Sequence, residues 1–124
     1  ELFAWGERFY EEKLRHWSRP EALARLRVHQ EAGDRCVLVT ASLPFWTQTW
    51  AEAHDLPLLA SSPEIIAGRF TGRLVGANNY GPEKVRRLEA WLDGHLPSRS
   101  VAYGDSRGDR ELLAWASEGY YRAF

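Results

Sequence analysis

The sequence is poor in sulfur-containing residues, in net charge and in long apolar runs. It has no methionine, one cysteine (Cys36), and 16 basic against 17 acidic side chains, for a formal net charge of −1. A single cysteine cannot form an internal disulfide, which favours a reducing, cytoplasmic compartment. The near-balance of charge argues against nucleic acid as a partner held by a basic field. No run approaches the roughly 18 to 20 apolar residues of a membrane span, so we expect no stable membrane insertion.

The residues that are present suffice for one folded domain. Hydrophobic residues make up 44% of the 124 and aromatic residues 13%, which can fill a single core. The lack of methionine and the first residue, Glu1, lead us to expect a processed or excised chain with further residues upstream.

Apolar periodicity predicts helices and strands in alternation. The predicted helices span residues 2–17, 20–32, 44–54, 82–93 and 110–117. Short β-rich apolar runs predict strands at residues 36–39, 56–60, 100–103 and 120–124, and turn chemistry predicts a hairpin at 64–75. This alternation indicates an α/β fold of βαβ units around a mainly parallel sheet.

Polar residues follow two of the predicted strands at the point where each strand ends. Thr40 and Ala41 come after the first strand, and Asp105 and Asp109 come after the strand at 100–103. In open parallel sheets, ligands bind beyond the carboxyl ends of the strands, so both loops are expected at one edge. A hydroxyl and backbone amides suit an oxyanion, and paired carboxylates beside a phosphate suit Mg²⁺.

Lys84 adds a positive charge in an unusual place. It lies in the first turn of the helix predicted to begin at Pro82. A cation at this end opposes the helix dipole at a cost of about 0.3–1 kcal/mol, which a bound anion would offset.

Simpler interpretations stand beside this one. Asp105 and Asp109 are also typical of solvated turns and caps, and Lys84 of an exposed helix face. Thr40 and Ser42 are typical of a helix cap, and we expect Ser42 to cap the helix that begins at Pro44. Arg86 and Arg87 are expected on a solvated face with Glu83.

Three features follow one another along the chain in a characteristic order. They are a strand that ends at Thr40, a lysine (Lys84) on a helix, and the loop Gly-Asp-Ser-x-x-Asp at 104–109. Together with GPEKVRRLEAWL…VAYGDSRGDRELL, that order resembles the haloacid dehalogenase superfamily, most of all its phosphoserine-phosphatase-like branch. The resemblance covers nearly the whole chain from residue 20. It implies a Rossmann-like three-layer core with a mainly parallel sheet. It also implies Mg²⁺-dependent hydrolysis of a small phosphorylated substrate through an aspartyl-phosphate.

The resemblance also implies a role for each of these residues. Thr40 and the amide of Ala41 would hold phosphoryl oxygens, and Lys84 would balance the charge of the nucleophile and the phosphate. Asp105 would ligate Mg²⁺. Asp109 would support the metal or its waters and orient Lys84. The catalytic set implied is therefore Thr40, Lys84 and Asp109.

The sequence departs from the family pattern at the nucleophile. No Asp-x-Asp motif occurs, because none of the five aspartates has a second aspartate two positions away. We expect residues 1–18 to be the tail of a helical cap and residues 19–124 the phosphatase core, without the central nucleophile strand. Such a chain would be inactive alone. It would be unstable, pair its two neighbouring strands directly, or take the missing strand from another chain or segment.

Two rival functions remain at this point. One is a non-catalytic module that binds Mg²⁺ and phosphorylated ligands as a sensor or partner. The other, a nucleotide-binding α/β domain, ranks lower because the chain lacks both GxGxxG and GxxxxGK[ST]. Phosphoserine, a lipid phosphate and a sugar phosphate all stay open as substrates.

Overall fold

Helices and strands alternate along the part of the chain that the computed structural model describes, residues 19–122 without the side chain of Trp46. The helix predicted at residues 2–17 and the cap tail expected at 1–18 lie outside these residues. The elements, in chain order, are α1 (Pro20–Glu31), β1 (Leu38–Val39), α2 (Pro44–Ala53), β2 (Leu58–Leu59), β3 (Pro63–Ile66), β4 (Arg69–Leu74), α3 (Pro82–Leu92), β5 (Val101–Gly104), a 3-10 turn (Arg107–Asp109), α4 (Arg110–Trp115) and β6 (Glu118–Tyr121).

The helix boundaries follow local sequence signals. α1, α2 and α3 each begin with proline, whose fixed φ and missing N–H suit the first helical position. After α1 the chain turns at Gly33, whose φ of +82° lies in the left-handed region that glycine adopts readily. These three helices are confirmed to within one residue of their predicted ends. The fourth ends two residues early, at Trp115.

The strands form three separate pairs. β1 and β2 are parallel, with Leu38 opposite Leu58, and β5 and β6 are parallel, with Val101 opposite Glu118. β3 and β4 form the predicted antiparallel hairpin. The last strand lies at 118–121 rather than 120–124. The α/β fold with mainly parallel pairing is confirmed. Within residues 19–122, β1 does not pair with β5, so the direct pairing considered above does not occur there.

The core forms where α3 and α4 pack over both parallel pairs. Leu88 and Leu92 of α3 and Leu112 of α4 are buried together. The partly buried residues packed against them come from several elements: Val37, Val39, Leu59, Val85, Trp91, Ala102 and Trp115. This cluster holds β1 and β5 near the same helix. None of the helices described is long and apolar enough to cross a membrane.

Candidate active site

Lys84 lies on the inner face of α3. It precedes Leu88 by four residues and Leu92 by eight, and all three are buried on the helix face that meets the core. Lys84 is 5% exposed. Its Nζ donates a hydrogen bond to Oδ1 of Asp109 and lies 3.5 Å from the carbonyl oxygen of Val39 at the end of β1. One ammonium group therefore links the end of β1 with the loop that follows β5.

Asp109 is the organising residue of the loop after β5. Its Oδ1 accepts from Lys84, and its Oδ2 accepts from the backbone N–H groups of Asp105 (3.1 Å) and Ser106 (3.2 Å) and from the Ser106 hydroxyl (3.3 Å). A Cβ at Gly104 would lie 2.6 Å from Cβ of Asp109, so the close approach of this loop requires glycine there. Both carboxylate oxygens are thus occupied by protein donors.

The charge of Asp109 is stabilised where it lies. Burial by itself raises the pKa of Asp109. The hydrogen bond and charge of Lys84, together with the backbone N–H groups of Ser106 and Asp105, outweigh burial and lower that pKa below its ordinary value. Asp109 is therefore negatively charged at neutral pH where it accepts from Lys84.

The carboxylate of Asp105 is available to a ligand as far as residues 19–122 show. The residue is exposed, and within residues 19–122 its carboxylate makes no hydrogen bond or ion pair. No group of three or more His, Cys, Asp or Glu in that range is arranged to hold a metal ion. Mg²⁺ needs only one or two protein carboxylates when substrate oxygens and waters complete its shell. The donor set fits Mg²⁺ held directly by Asp105, with Asp109 in support.

Thr40 and Ala41 follow β1 on the other side of Lys84. The Thr40 N–H donates to the carbonyl of Leu59 (2.9 Å), which extends the β1–β2 ladder by one residue. The Thr40 Oγ1 accepts the N–H of Ser42 at 3.1 Å. α2 begins only at Pro44, and its N-cap is Leu43 without a side-chain cap hydrogen bond. The expectation that Ser42 caps this helix is therefore wrong, and Thr40 shapes the loop and does not cap the helix either. The structure places Lys84 against Val39, the residue before Thr40.

Sequence reasoning missed the loop that precedes α3. Asn79 is completely buried, and its Nδ2 donates to the carbonyls of Thr40 and Leu59, both at 2.9 Å. Ser61 is also buried, and its hydroxyl accepts the N–H of Asn79 at 2.8 Å. These contacts join residues 18 to 39 positions apart, so no local pattern signals them.

Arg87 was expected on a solvated face, and that expectation is wrong. Its guanidinium donates to the carbonyls of Ala60 (2.5 Å) and Ala77 (2.6 Å) and pairs with Glu83, and its side chain is 19% exposed. Arg86 is exposed, as expected. The spacing could have predicted this position, because Arg87 follows the inward-facing Lys84 by three residues and so lies on the same side of the helix.

Comparison with known proteins identifies the family of the chain. The family model of haloacid dehalogenase-like hydrolases matches residues 1–114. The chain belongs to this family. Protein CicA of Caulobacter vibrioides is 37% identical over 108 residues, which are 86% of this chain and 48% of that protein. A phosphoserine phosphatase of Mycobacterium tuberculosis is 33% identical over 119 residues, 92% of this chain and 38% of that protein.

Solved structures agree on the fold. A protein of unknown function from Bordetella pertussis Tohama I has a TM-score of 0.83 at 36% identity, covering 94% of this chain and 55% of that one. A phosphoserine phosphohydrolase-like protein from Francisella tularensis has a TM-score of 0.70 at 13% identity and so shows the fold alone. The chain therefore spans between 38% and 55% of the length of these relatives.

Proposed function

We propose that the chain provides the phosphate- and metal-binding part of an Mg²⁺-dependent phosphomonoester hydrolase that works through an aspartyl-phosphate. The observation that carries this proposal is the buried Lys84–Asp109 pair, which lies between the end of β1 and the loop after β5. A buried ion pair is weak evidence for stability, since apolar residues often replace such pairs without loss. Its place at the ligand edge of the strands favours a functional reason.

The residues divide the work as follows in this proposal. The Lys84 ammonium neutralises charge on the phosphoryl group, and the Thr40 hydroxyl and Ala41 N–H bind phosphoryl oxygens. Asp109 accepts a hydrogen bond from Lys84 and so holds its side chain near the end of β1. Asp105 holds Mg²⁺, which when bound supplies Lewis-acid stabilisation of phosphoryl charge. The substrate is a small phosphomonoester; the matched phosphoserine phosphatase makes phosphoserine one candidate, beside lipid and sugar phosphates.

The nucleophile has to come from elsewhere in this scheme. Both oxygens of Asp109 are occupied, and Asp105 is assigned to the metal. Asp34, Asp55 and Asp93 lie in the segments that lead from α1, α2 and α3 into the amino ends of β1, β2 and β5, whereas the site lies at the carboxyl ends of β1 and β5. We propose that a strand from another chain or segment supplies the aspartate between β1 and β5. The alternative is a non-catalytic Mg²⁺- and phosphate-binding module, which the lack of an Asp-x-Asp motif favours.

The test is phosphate release from p-nitrophenyl phosphate by the protein expressed from its complete reading frame, with Mg²⁺ or with EDTA. We expect Mg²⁺-dependent turnover, lowered by about 100-fold or more in Asp105→Asn because one metal ligand is lost. The matched control is Asp93→Asn, another exposed loop aspartate, whose left-handed backbone suits asparagine equally.

Each outcome discriminates between the two functions. If the wild type and Asp105→Asn turned over substrate equally fast, Asp105 would not be a metal ligand. Binding of Mg²⁺ and phosphate without turnover in the wild type would replace the hydrolase by the non-catalytic module.

A further inference from the structure

The loop between β4 and α3 contains a side chain whose contacts no mechanistic role above uses. Asn79 has no exposed surface, although asparagine is usually a surface residue. Its Nδ2 donates hydrogen bonds to the carbonyls of Thr40 and Leu59, which lie at the ends of two different strands, β1 and β2. The Leu59 carbonyl also accepts the N–H of Thr40, so the carboxamide continues the ladder where the short strands β1 and β2 stop.

Asn79 is itself held on several sides. Its backbone N–H donates to Oγ of Ser61, and that hydroxyl donates to Oδ1 of Asn78 at 2.6 Å. The Gly81 N–H donates to the carbonyl of Gly108 at 2.9 Å, which ties the same loop to the turn that contains Asp109. The carboxamide is therefore a fixed group with little freedom to turn away from Thr40.

The orientation of the carboxamide is determined by its donors. Reversing it would place its oxygen against two carbonyl oxygens, so the amide nitrogen must face Thr40 and Leu59. Its Oδ1 is then buried and has no partner among residues 19–122. A buried acceptor without a donor is unfavourable. The arrangement leaves this acceptor unpaired, and its two donors fix the carbonyls of Thr40 and Leu59.

The same loop leads directly into α3 and Lys84. Arg87, one turn further along, donates to carbonyls on both sides of the network, at Ala60 and Ala77. The network of Asn79, Ser61 and Arg87 thus connects the end of β1, which carries Thr40, to the helix that carries Lys84. Beside the direct contact of Lys84 with Val39, one buried asparagine therefore links the segment that carries Thr40 to the helix that carries Lys84.

We propose that Asn79 is a positioning residue that sets phosphate affinity by holding the backbone of Thr40 in register with Lys84. This inference rests on the proposed function for its kinetic consequence. Thr40 and Ala41 would contact phosphoryl oxygens in both the bound substrate and the transition state. Loss of their placement therefore weakens both states alike, which raises KM and leaves kcat nearly unchanged.

The kinetic test compares two neighbouring asparagines in the same protein. Asn79→Asp replaces both donors with an acceptor that faces two carbonyls. Asn78→Asp makes the same change of charge at an exposed position and keeps an oxygen for Ser61. For p-nitrophenyl phosphate with Mg²⁺, we expect Asn79→Asp to raise KM about tenfold and to change kcat less than about threefold. Asn78→Asp should keep both constants near those of the wild type. A melting temperature that falls while KM stays unchanged would show a merely structural role and overturn the proposal.

Amide hydrogen exchange tests the positioning independently of catalysis. In Asn79→Ala, we expect the N–H groups of Thr40 and Ser42, which are bonded to Leu59 and to Thr40 Oγ1, to exchange about tenfold faster, while those of α4 keep their wild-type rates. Asn78→Asp, which keeps an oxygen for the Ser61 hydroxyl, serves as the control and should leave all of them unchanged. Unaltered exchange at Thr40 and Ser42 overturns the inference, even if the protein is an active phosphatase. Faster exchange there in a protein without phosphatase activity would support the positioning and refute the proposed function instead.

Discussion

The two loops of the candidate site are built in different ways. The loop after β5, residues 104–109, organises itself, because Asp109 accepts hydrogen bonds from Asp105 and Ser106 within the same turn. The loop after β1, residues 40–43, is tied from outside by Asn79, 39 positions away from Thr40. Lys84 contacts both Asp109 in the first loop and Val39, the residue directly before the second. The comparison teaches that changes near Asp109 should act locally, whereas the Thr40 loop should respond to distant substitutions.

Removing the shared contact should have the largest effect. Lys84→Ala leaves the buried Asp109 without its cation, and we expect a loss of about 3–5 kcal/mol in the free energy of unfolding. Arg86→Ala, on the exposed face of the same helix, should lower the free energy of unfolding far less, because solvent screens its pair with Glu83. Urea unfolding followed by circular dichroism measures both. If Lys84→Ala cost no more than Arg86→Ala, the pair would not be the link between the loops.

A substitution at Gly104 should break only the loop after β5. A Cβ there would lie 2.6 Å from Cβ of Asp109, and crowding of this kind costs about 1–3 kcal/mol. Gly33→Ala is the matched control, because it is strained by its φ of +82° but has no atom within 4 Å of the added Cβ. We expect both variants to lose stability and only Gly104→Ala to lose Mg²⁺-dependent phosphate release. Equal activity in the two would show that Asp109 tolerates displacement.

Acid should weaken the loop after β5 through Asp109. Its pKa in the folded protein lies below the ordinary value, so its contribution to stability is full above the unfolded-state pKa of about 4. That contribution is lost as pH falls through the lowered folded-state pKa. Unfolding free energies measured between pH 6 and pH 2 should therefore fall less steeply in Asp109→Asn than in the wild type.

Glu83 is the appropriate control for this acid range. Hydrogen bonds from Arg86, and then from Arg87, lower the pKa of Glu83 to about 2, so part of the wild-type slope belongs to this residue. Glu83→Gln should flatten the curve without lowering Mg²⁺-dependent activity at neutral pH as Asp109→Asn does. Identical curves for Asp109→Asn and the wild type would contradict an ionised Asp109 in the folded state.

The smallest effect is expected at the tether between α1 and β5. The Tyr103 hydroxyl and Nε2 of His29 are 2.9 Å apart, and Nδ1 of His29 lies 2.9 Å from Asp34. Tyr103→Phe removes this hydrogen bond at a cost of about 0.5–1.5 kcal/mol and should leave activity unchanged. Thermal unfolding measures the loss. A drop in activity would mean that β5 depends on α1 for its position. The loop after β5 would then also respond to distant substitutions, against the comparison made above.

Local chemistry explains which parts of the fold could be predicted. Three helices begin at prolines and carry an apolar stripe, so their bounds were predictable to within one residue. The strands at 38–39 and 58–59 are shorter than predicted, because hydrogen bonding to a partner and not residue type decides how far a strand extends.

The residues of the candidate site also fall into those that the sequence could identify and those that it could not. Lys84 and Asp109 were recognisable from their order in the sequence, and the structure brings them into contact; their catalytic roles stay predictions. Asn79 was not recognisable, because it lies in a polar loop and its partners are 20 and 39 positions away. Arg87 was assigned to solvent because its neighbours in sequence are charged, yet the carbonyls it binds belong to other segments.

The most direct test of the central claim is a titration of the protein with inorganic phosphate and Mg²⁺, followed by backbone amide NMR shifts. The account predicts the largest shifts at Thr40–Ser42 and Asp105–Ser106, with little change in the hairpin formed by Pro63–Ile66 and Arg69–Leu74. Absence of shifts at both strand ends, or shifts confined to the hairpin, would contradict a phosphate site between β1 and β5.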